Sequence, residues 1–337
     1  MKKMIFEVSF IRPFVILLLI LYHSLCPWMN GWEETPCFEE NRIYFWIANL
    51  ISGFRIETIA LVAGYVFAYQ RIDLKRMQSL KSFALKKVKR LWLPCIIFGI
   101  IYYAIFYSIN IFTIDALVRI VSGIGHLWYL PMLLWCFIIV WILDYLKLNK
   151  WLVFIGLSIL SLLPSLSIPF GLSRVPHFIF YFYLGYLMWI YKDKILQLCD
   201  KWKVIVLFTL CYLILVMVNV HVKDLIMYSH RYIIWSITGV IKYFMTGCGI
   251  LALYLFTCRF VYKEKFRCPN WVIKLSSVCY GLYVFHQFIL KYLYYKTDMA
   301  CMLGQYLPWV SFVVALLFSY ILTSLFLKTN WGRFLIG

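Results

Sequence analysis

Arg12 and His23 are the first two residues of this sequence whose types and spacing could do chemistry. Both interrupt the apolar run Ser9–Leu25, and a separation of eleven positions is three helical turns plus about 20°, so their side chains share one face of a helix. They are then roughly 16 Å apart along the axis, about half the thickness of a bilayer's hydrocarbon core. Ionisable groups inside an apolar helix are costly, which makes this face a candidate functional site.

Each of the two side chains has a chemical role and a structural alternative. An imidazole titrates near neutral pH, so His23 can act as a general base that takes a proton from a hydroxyl. A guanidinium binds oxyanions with two parallel hydrogen bonds, which suits Arg12 to an anionic substrate. The alternatives are a histidine hydrogen-bonded at the membrane interface and an arginine that snorkels to lipid phosphate. Pro13 is expected in the first turn of the helix, where its missing N–H costs little.

The composition indicates an integral membrane protein built of helices. Of the 337 residues 64% are hydrophobic, and the mean hydropathy is +0.84, whereas soluble domains are roughly half apolar. The apolar runs are continuous, which favours an all-α bundle over a β-barrel. No linker or fixed-period repeat divides the chain, so residues 1–337 are predicted to form one domain. About ten runs are of spanning length, near residues 10–27, 43–69, 91–109, 126–143, 151–166, 175–191, 204–220, 232–257, 271–290 and 308–327.

The positive charges predict the orientation of these spans. Of the lysines and arginines between the runs, 23 fall on one side and 7 on the other. Cations are enriched in cytoplasmic loops, so both termini are predicted to be cytoplasmic and the first run is expected to stay as an uncleaved span. The net charge of +19 follows from this distribution, and no nucleic-acid partner is expected.

A second charged pair, Arg55 and Glu57, lies inside the second apolar run. Two positions apart on a helix, the side chains point to nearly opposite faces and cannot neutralise each other. Counted from the outer helix ends, Glu57 lies about 21 Å deep and Arg12 about 22 Å deep, so the depths predict an ion pair between Glu57 and Arg12. The alternative is that Arg55 or Glu57 lines a water-filled cavity without such a pair.

Four stretches together resemble one family of membrane enzymes. Arg-x10-His in the first run resembles the first helix of the integral-membrane acyltransferase-3 family. Three further stretches resemble later parts of that family in the same order: KSFALKKVKRLWLPCI (Lys81–Ile96), GHLWYLPMLL (Gly125–Leu134) and SSVCYGLYVFHQFIL (Ser276–Leu290). The sequence departs from the family at Ser9, where an aspartate is common, and at Ala63, where a serine usually precedes Gly64 and Tyr65.

The resemblance implies transfer of an acyl group to a hydroxyl. The donor is commonly acetyl-CoA, used here as a co-substrate with no bound cofactor, and the acceptor is a cell-surface polysaccharide, glycolipid or lipid-linked sugar. The protein is then expected in the lipid bilayer of a bacterial cytoplasmic (inner) membrane as a multi-pass member without a fused soluble domain.

The expected catalytic residues are His23, Arg12 and Glu57. The basic residues of the second stretch could hold the phosphates of CoA, or could anchor the chain to anionic lipid. The sequence has no glycine motif for nucleotide binding. The residues assigned to donor binding are Lys86, Lys87, Arg90 and Arg55.

Several residues at the predicted outer ends of the spans could bind the acceptor. Aromatic rings could stack on sugar faces, although tryptophan and tyrosine also form ordinary interfacial belts. The residues assigned to acceptor binding are His126, Trp128, Tyr129 and His286, and either histidine could orient His23 if it lies nearby. None of the histidines has metal-ligand spacing, so no metal is predicted. Cys37 and Cys301 fall in predicted outer loops and could form a disulfide.

Two other classes of function remain open at this level. A transporter or flippase for a glycan or lipid-linked sugar would also need many spans with buried charges, but such proteins often show a two-fold repeat that is not visible in this sequence. A non-catalytic membrane subunit is the third class. Transfer of radiolabel from acetyl-CoA in isolated membranes distinguishes the enzyme from both.

Overall fold

The computed structural model is a bundle of α-helices. It describes residues 5–76, 78–107, 113–163, 168–226, 231–264, 266 and 268–337, and of residues 223–226 and 231–236 it describes the backbone only. No strand occurs in these ranges. The helices are α1 (Phe6–Ser24), α2 (Arg42–Ser52), α3 (Arg55–Ile72), α4 (Leu80–Lys87), α5 (Leu93–Phe106), α6 (Ile114–Ser122), α7 (Tyr129–Tyr145), α8 (Lys150–Leu162), α9 (Val175–Ile190), α10 (Lys192–Leu198), α11 (Trp202–Ile226), α12 (Arg231–Cys258), α13 (Asn270–Tyr295), α14 (Met299–Leu303), α15 (Leu307–Phe326) and α16 (Asn330–Ile336).

The predicted multi-pass, all-α class is confirmed. Eight segments in the described part of the chain are long and apolar enough to span a bilayer: Phe6–Ser24, Arg42–Ile72, Leu80–Phe106, Gly125–Tyr145, Trp202–Val222, Ile237–Lys263, Asn270–Tyr295 and Met299–Phe326. The two remaining predicted spans correspond to α8, with 13 residues, and α9, with 16 residues. The exact number of spans and the cytoplasmic placement of both termini stay predictions.

The chain forms two compact units. The first comprises the chain up to Ile59 together with Tyr191–Leu322, and the second comprises Ala60–Ile190 and Thr323–Gly337. In the first unit α1 packs against α13 and α12, and α11 packs against α12. In the second unit α9 packs against α7 and α8, and α5 packs against α6. The single domain predicted for residues 1–337 stays a prediction.

Helix α1 differs from the sequence prediction at its start. It begins at Phe6, so Pro13 lies inside the helix and its predicted place in the first turn is wrong. The longer helix includes Glu7, which is fully buried and whose Oε1 lies 2.6 Å from Nζ of Lys192. Ser9 adds a hydrogen bond from its Oγ to the carbonyl of Ile5.

The second predicted span is broken. Helix α2 ends at Ser52 and α3 begins at Arg55, with Gly53 and Phe54 between them. A broken helix leaves carbonyl oxygens without intrahelical donors, and in an apolar environment these need other partners. Tyr212 of α11 donates its hydroxyl to the carbonyl of Leu50, and Thr246 of α12 donates to that of Gly53 at 2.6 Å.

Two glycines allow α3 and α9 to cross at backbone contact in the second unit. A Cβ atom on Gly64 would lie 1.8 Å from the carbonyl oxygen of Phe182, and one on Gly185 would lie 2.0 Å from that of Leu61. Small residues of this kind let membrane helices approach closely, where dispersion forces act over a long contact. Gly64 belongs to the Gly-Tyr pair noted in the sequence, and its role in the fold is this close approach.

Replacing either of these glycines with alanine should destabilise the protein. Because the clash is with backbone, the helices must separate, and we expect Gly64→Ala and Gly185→Ala each to cost about 2 kcal/mol or more. Gly156→Ala is the matched control, since a Cβ at this position in α8 meets nothing within 4 Å and alanine favours a helix. Thermal unfolding in detergent should show lower Tm for the first two variants only. Equal Tm values for all three would contradict the crossing.

Candidate active site

A hydrogen bond between two histidines joins α1 to α13. Nδ1 of His23 lies 2.8 Å from Nε2 of His286. His286 is fully buried, whereas His23 is half-buried. Of the two histidines expected near His23, the structure places His286 against it.

The contacts of His286 determine which nitrogen carries each proton. Its Nδ1 lies 2.7 Å from the carbonyl oxygen of Tyr283 and 3.1 Å from that of Leu282. Carbonyl oxygens only accept, so Nδ1 carries a hydrogen, and a neutral His286 must accept at Nε2. His23 then donates from Nδ1, and its own Nε2 carries the lone pair. This is the tautomer that a general base requires.

Aromatic rings surround His23. Trp32, from the segment between α1 and α2, lies nearly parallel to the imidazole at 5.9 Å between centroids and 8° between planes. Tyr22 meets the same ring edge-on at 5.6 Å. Nζ of Lys291 lies 5.5 Å from the Trp32 ring centroid. Sequence reasoning missed Trp32, because an aromatic residue in a loop resembles an ordinary interfacial residue until its partner is known.

The segment 25–41, which carries Trp32, is fastened at several points. Cys37 forms a disulfide with Cys301 of α14. The indole of Trp28 donates to the carbonyl of Glu39 at 2.8 Å, and Tyr295 donates to that of Glu33 at 2.6 Å. The sequence left the disulfide open, because only the folded chain brings the two cysteines together. Disulfides persist in oxidising compartments, so this bond supports the predicted external placement of the His23 end.

Arg55 lies beside this cluster. Its guanidinium carbon is 3.4 Å from the ring centroid of Tyr22, and the residue is 8% exposed. The sequence assigns Arg55 to donor binding together with Lys86, Lys87 and Arg90, and this role stays a prediction. Arg55 is the first residue of α3, and it shares its aromatic neighbour Tyr22 with His23.

The other two predicted catalytic residues also belong to the first unit. Arg12 is half-buried and lies within electrostatic range of Cys279 on α13. Glu57 is buried, and it lies within electrostatic range of Tyr212 on α11. The ion pair between Arg12 and Glu57 stays a prediction.

Glu7 is a buried acid that sequence reasoning missed. Besides its contact with Lys192, its Oε2 accepts a hydrogen bond from the hydroxyl of Tyr262 at 2.5 Å. Lys192 Nζ lies 2.9 Å from the same hydroxyl, which closes a three-membered network. The network fixes the end of α1 that lies away from His23. Glu7 is the only acidic residue of α1, and a lone acid in an apolar helix was the sequence feature that could have indicated this network.

The basic segment in the second unit presents some of its charges to the surface. Lys86 and Arg90 are exposed. Nζ of Lys87 instead lies 3.4 Å from the ring centroid of Phe137, a cation–π contact. The backbone over Val88–Trp92 is a π-helix, a form that is often found at functional sites.

The predicted acceptor residues of the second unit are largely engaged with their neighbours. Trp128 has the guanidinium of Arg174 at 3.9 Å from its ring centroid. His126 and Tyr129 are buried. Their role in acceptor binding stays a prediction. Among the described residues, no group of three or more histidines, cysteines and acids could hold a metal ion.

Comparison with protein families identifies the chain. A family model of the acyltransferase-3 type, described as an acyltransferase domain, matches residues 5–328. The chain belongs to the acyltransferase-3 family. The match includes the histidine pair and the basic segment, and it confirms the resemblance drawn from the four sequence stretches. This membrane protein is therefore an acyltransferase. Neither the search of curated proteins nor the search of solved structures gave a match.

Labelling of the cysteines near the candidate site tests the Cys37–Cys301 disulfide and its predicted location on the external side of the membrane. Burial raises the pKa of the Cys26 thiol to about 12, so its thiolate fraction is about a thousandfold below that of an ordinary cysteine. A membrane-impermeant maleimide applied to intact cells at pH 8 should label neither Cys26, Cys37 nor Cys301. After reduction with an impermeant phosphine, it should label Cys37 and Cys301 but still not Cys26.

The single variant Cys37→Ser is the control for this labelling. It should leave Cys301 reactive without any reductant. Labelling of both Cys37 and Cys301 in the unreduced protein would contradict the disulfide, and labelling only by a permeant reagent would contradict the external placement.

Proposed function

We propose that this acyltransferase moves an acyl group, most simply acetyl, from acyl-CoA to a hydroxyl of a cell-surface polysaccharide, glycolipid or lipid-linked sugar. It would do so in a bacterial cytoplasmic membrane, with His23 as general base. The observation that carries the proposal is the bond from His23 Nδ1 to His286 Nε2, with His286 held by backbone carbonyls.

The proposed reaction is direct transfer. Nε2 of His23 takes the proton of the acceptor hydroxyl while the oxygen attacks the thioester carbon. The positive charge that develops on His23 is stabilised at Nδ1 by the accepting Nε2 of His286, as a carboxylate does in other base–orienter pairs. The C–S bond then breaks, and the leaving thiolate receives the proton from His23. His286 is thus a positioning residue, since it acts through His23.

An acyl-enzyme on Cys26 is disfavoured. Cys26 lies one turn beyond His23, but its thiol pKa of about 12 keeps it protonated at neutral pH. Ser24 is buried, and its Oγ donates to the carbonyl of Leu21 at 2.7 Å. Neither side chain is activated as a nucleophile, which leaves the acceptor hydroxyl as the attacking group.

The donor and the acceptor are proposed to arrive from opposite faces of the membrane. The exposed cations Lys86 and Arg90 suit the pyrophosphate and 3′-phosphate of CoA, and the positive-inside distribution assigns them to the cytoplasmic face. The disulfide next to the His23 end supports acceptor entry from the external face. Arg12 would help to guide the acyl group between them.

The test of this proposal is acyl transfer by histidine variants. We expect His23→Gln to lower the transfer of radiolabel from acetyl-CoA in isolated membranes by 10²–10⁴-fold, because glutamine cannot take the proton. We expect His286→Gln to lower it by about 10–100-fold, since His23 then loses the group that sets its tautomer. Both variants should be expressed at the level of the unaltered protein.

His221→Gln is the matched control for the histidine variants. His221 is an exposed histidine of α11 at the same predicted face, bonded through Nδ1 to the carbonyl of Met217 at 2.9 Å. Its substitution should leave transfer unchanged. Full transfer by His23→Gln would disprove the assignment of the base, and loss of glycan export without any acyl transfer would favour a transporter. Mass spectrometry of surface glycans from a deletion strain identifies the acceptor.

A further inference from the structure

Arg55 is a buried cation with an unmet hydrogen-bond donor. It is 8% exposed, and its Nε has no hydrogen-bond partner in the described part of the chain. Buried polar groups are almost always bonded, and an unsatisfied one indicates a missing partner such as a ligand. A guanidinium donor recognises a negatively charged oxygen best.

The surroundings of Arg55 hold its charge in place. The ring of Tyr22 lies against the guanidinium at 3.4 Å from its centroid, which stabilises the cation and restricts its rotation. Arg55 is also the first residue of α3, where the helix dipole is positive and favours an anion. Tyr212 and Thr246 hold the break before Arg55 by donating hydrogen bonds to the carbonyls of Leu50 and Gly53.

The position of Arg55 relates it to the proposed base. Tyr22 contacts the Arg55 guanidinium and also meets the ring of His23 at its edge. The cation and the imidazole therefore contact the same aromatic ring. An acyl carbonyl that is attacked by a hydroxyl at His23 develops its negative charge in this neighbourhood.

We propose that Arg55 binds the oxyanion that forms on the transferring acyl group. The inference rests on the proposed function. When the acceptor oxygen forms its bond to the thioester carbon, the C=O π electrons move to the carbonyl oxygen while the hydroxyl proton goes to His23. The Arg55 guanidinium, through Nε, donates to that oxygen. When the C=O bond re-forms, the C–S bond breaks, and the leaving thiolate receives from His23 the proton that came from the hydroxyl.

The same donor chemistry would also suit an acidic group carried by the acceptor. The two sources differ in the kinetic constant that Arg55 controls. An oxyanion exists only in the transition state and intermediate, so its loss lowers kcat, whereas a carboxylate of the acceptor is bound in the ground state, so its loss raises the acceptor KM.

The experiment measures both constants in purified protein with acetyl-CoA and a hydroxyl acceptor identified from the surface glycan. For Arg55→Gln we expect kcat to fall by about 10²–10³-fold with both KM values within about twofold. For Arg55→Lys, which keeps the charge without the planar donors, we expect a smaller fall of about tenfold. Arg42→Gln, an exposed arginine that likewise begins a helix, is the matched control and should leave kcat unchanged.

Two further variants keep the test decisive. If Arg55→Gln does not fold, Tyr22→Leu removes the ring that positions the guanidinium, and it should lower kcat about tenfold while Arg55 itself is intact. An unchanged kcat in Arg55→Gln, or a raised acceptor KM with an unchanged kcat, overturns the inference while the proposed function stands if His23→Gln is inactive. Full activity of His23→Gln overturns the proposed function instead.

Discussion

The hydrogen bond between His23 and His286 is the interaction on which the site depends. Together with the carbonyls of Leu282 and Tyr283, which hold Nδ1 of His286, it sets the tautomer of His23, and it requires α1 and α13 to keep a constant register. A side-chain bond between two membrane helices is stable in register only if the helices are held at other points. The structure supplies these points at both ends of α1: Glu7 with Lys192 and Tyr262 at one end, and the carbonyl of Ser24 with the hydroxyl of Tyr294 at the other, at 2.5 Å.

The need for hydrogen-bond partners in an apolar environment also explains the broken helix between α2 and α3. In an apolar environment every backbone carbonyl needs a donor, so a helix can be interrupted only where side chains replace the lost bonds. Tyr212 and Thr246 do so for Leu50 and Gly53. The interruption places the cation Arg55 at a helix start and against Tyr22, whose ring also meets that of His23. Hydroxyl groups from two neighbouring helices thus stabilise the break between α2 and α3, and the break puts Arg55 at the start of a helix.

Much of the fold was predictable because it follows from local features of the sequence. Continuous apolar runs can be satisfied in lipid only as helices, so the multi-pass, all-α class follows from composition and run length. The family followed from short stretches in order, beginning with Arg12 and His23 on one helical face. The break at Gly53 was not predictable in this way, because the run 43–69 has the length and composition of an unbroken span and the donors that permit the break come from distant helices.

The candidate site also has a part that local sequence predicts and a part that depends on how the helices pack. The sequence by itself determined that His23 and Arg12 lie on one face of an apolar helix, since helical geometry alone relates positions eleven residues apart. Only the tertiary structure decided that Nδ1 of His23 lies against Nε2 of His286, and that Arg55 and His23 contact the same ring, that of Tyr22. The physical reason is that contacts between side chains depend on how helices distant in sequence pack together. Hydropathy and charge specify that a helix is buried, but they do not specify which helix packs against it.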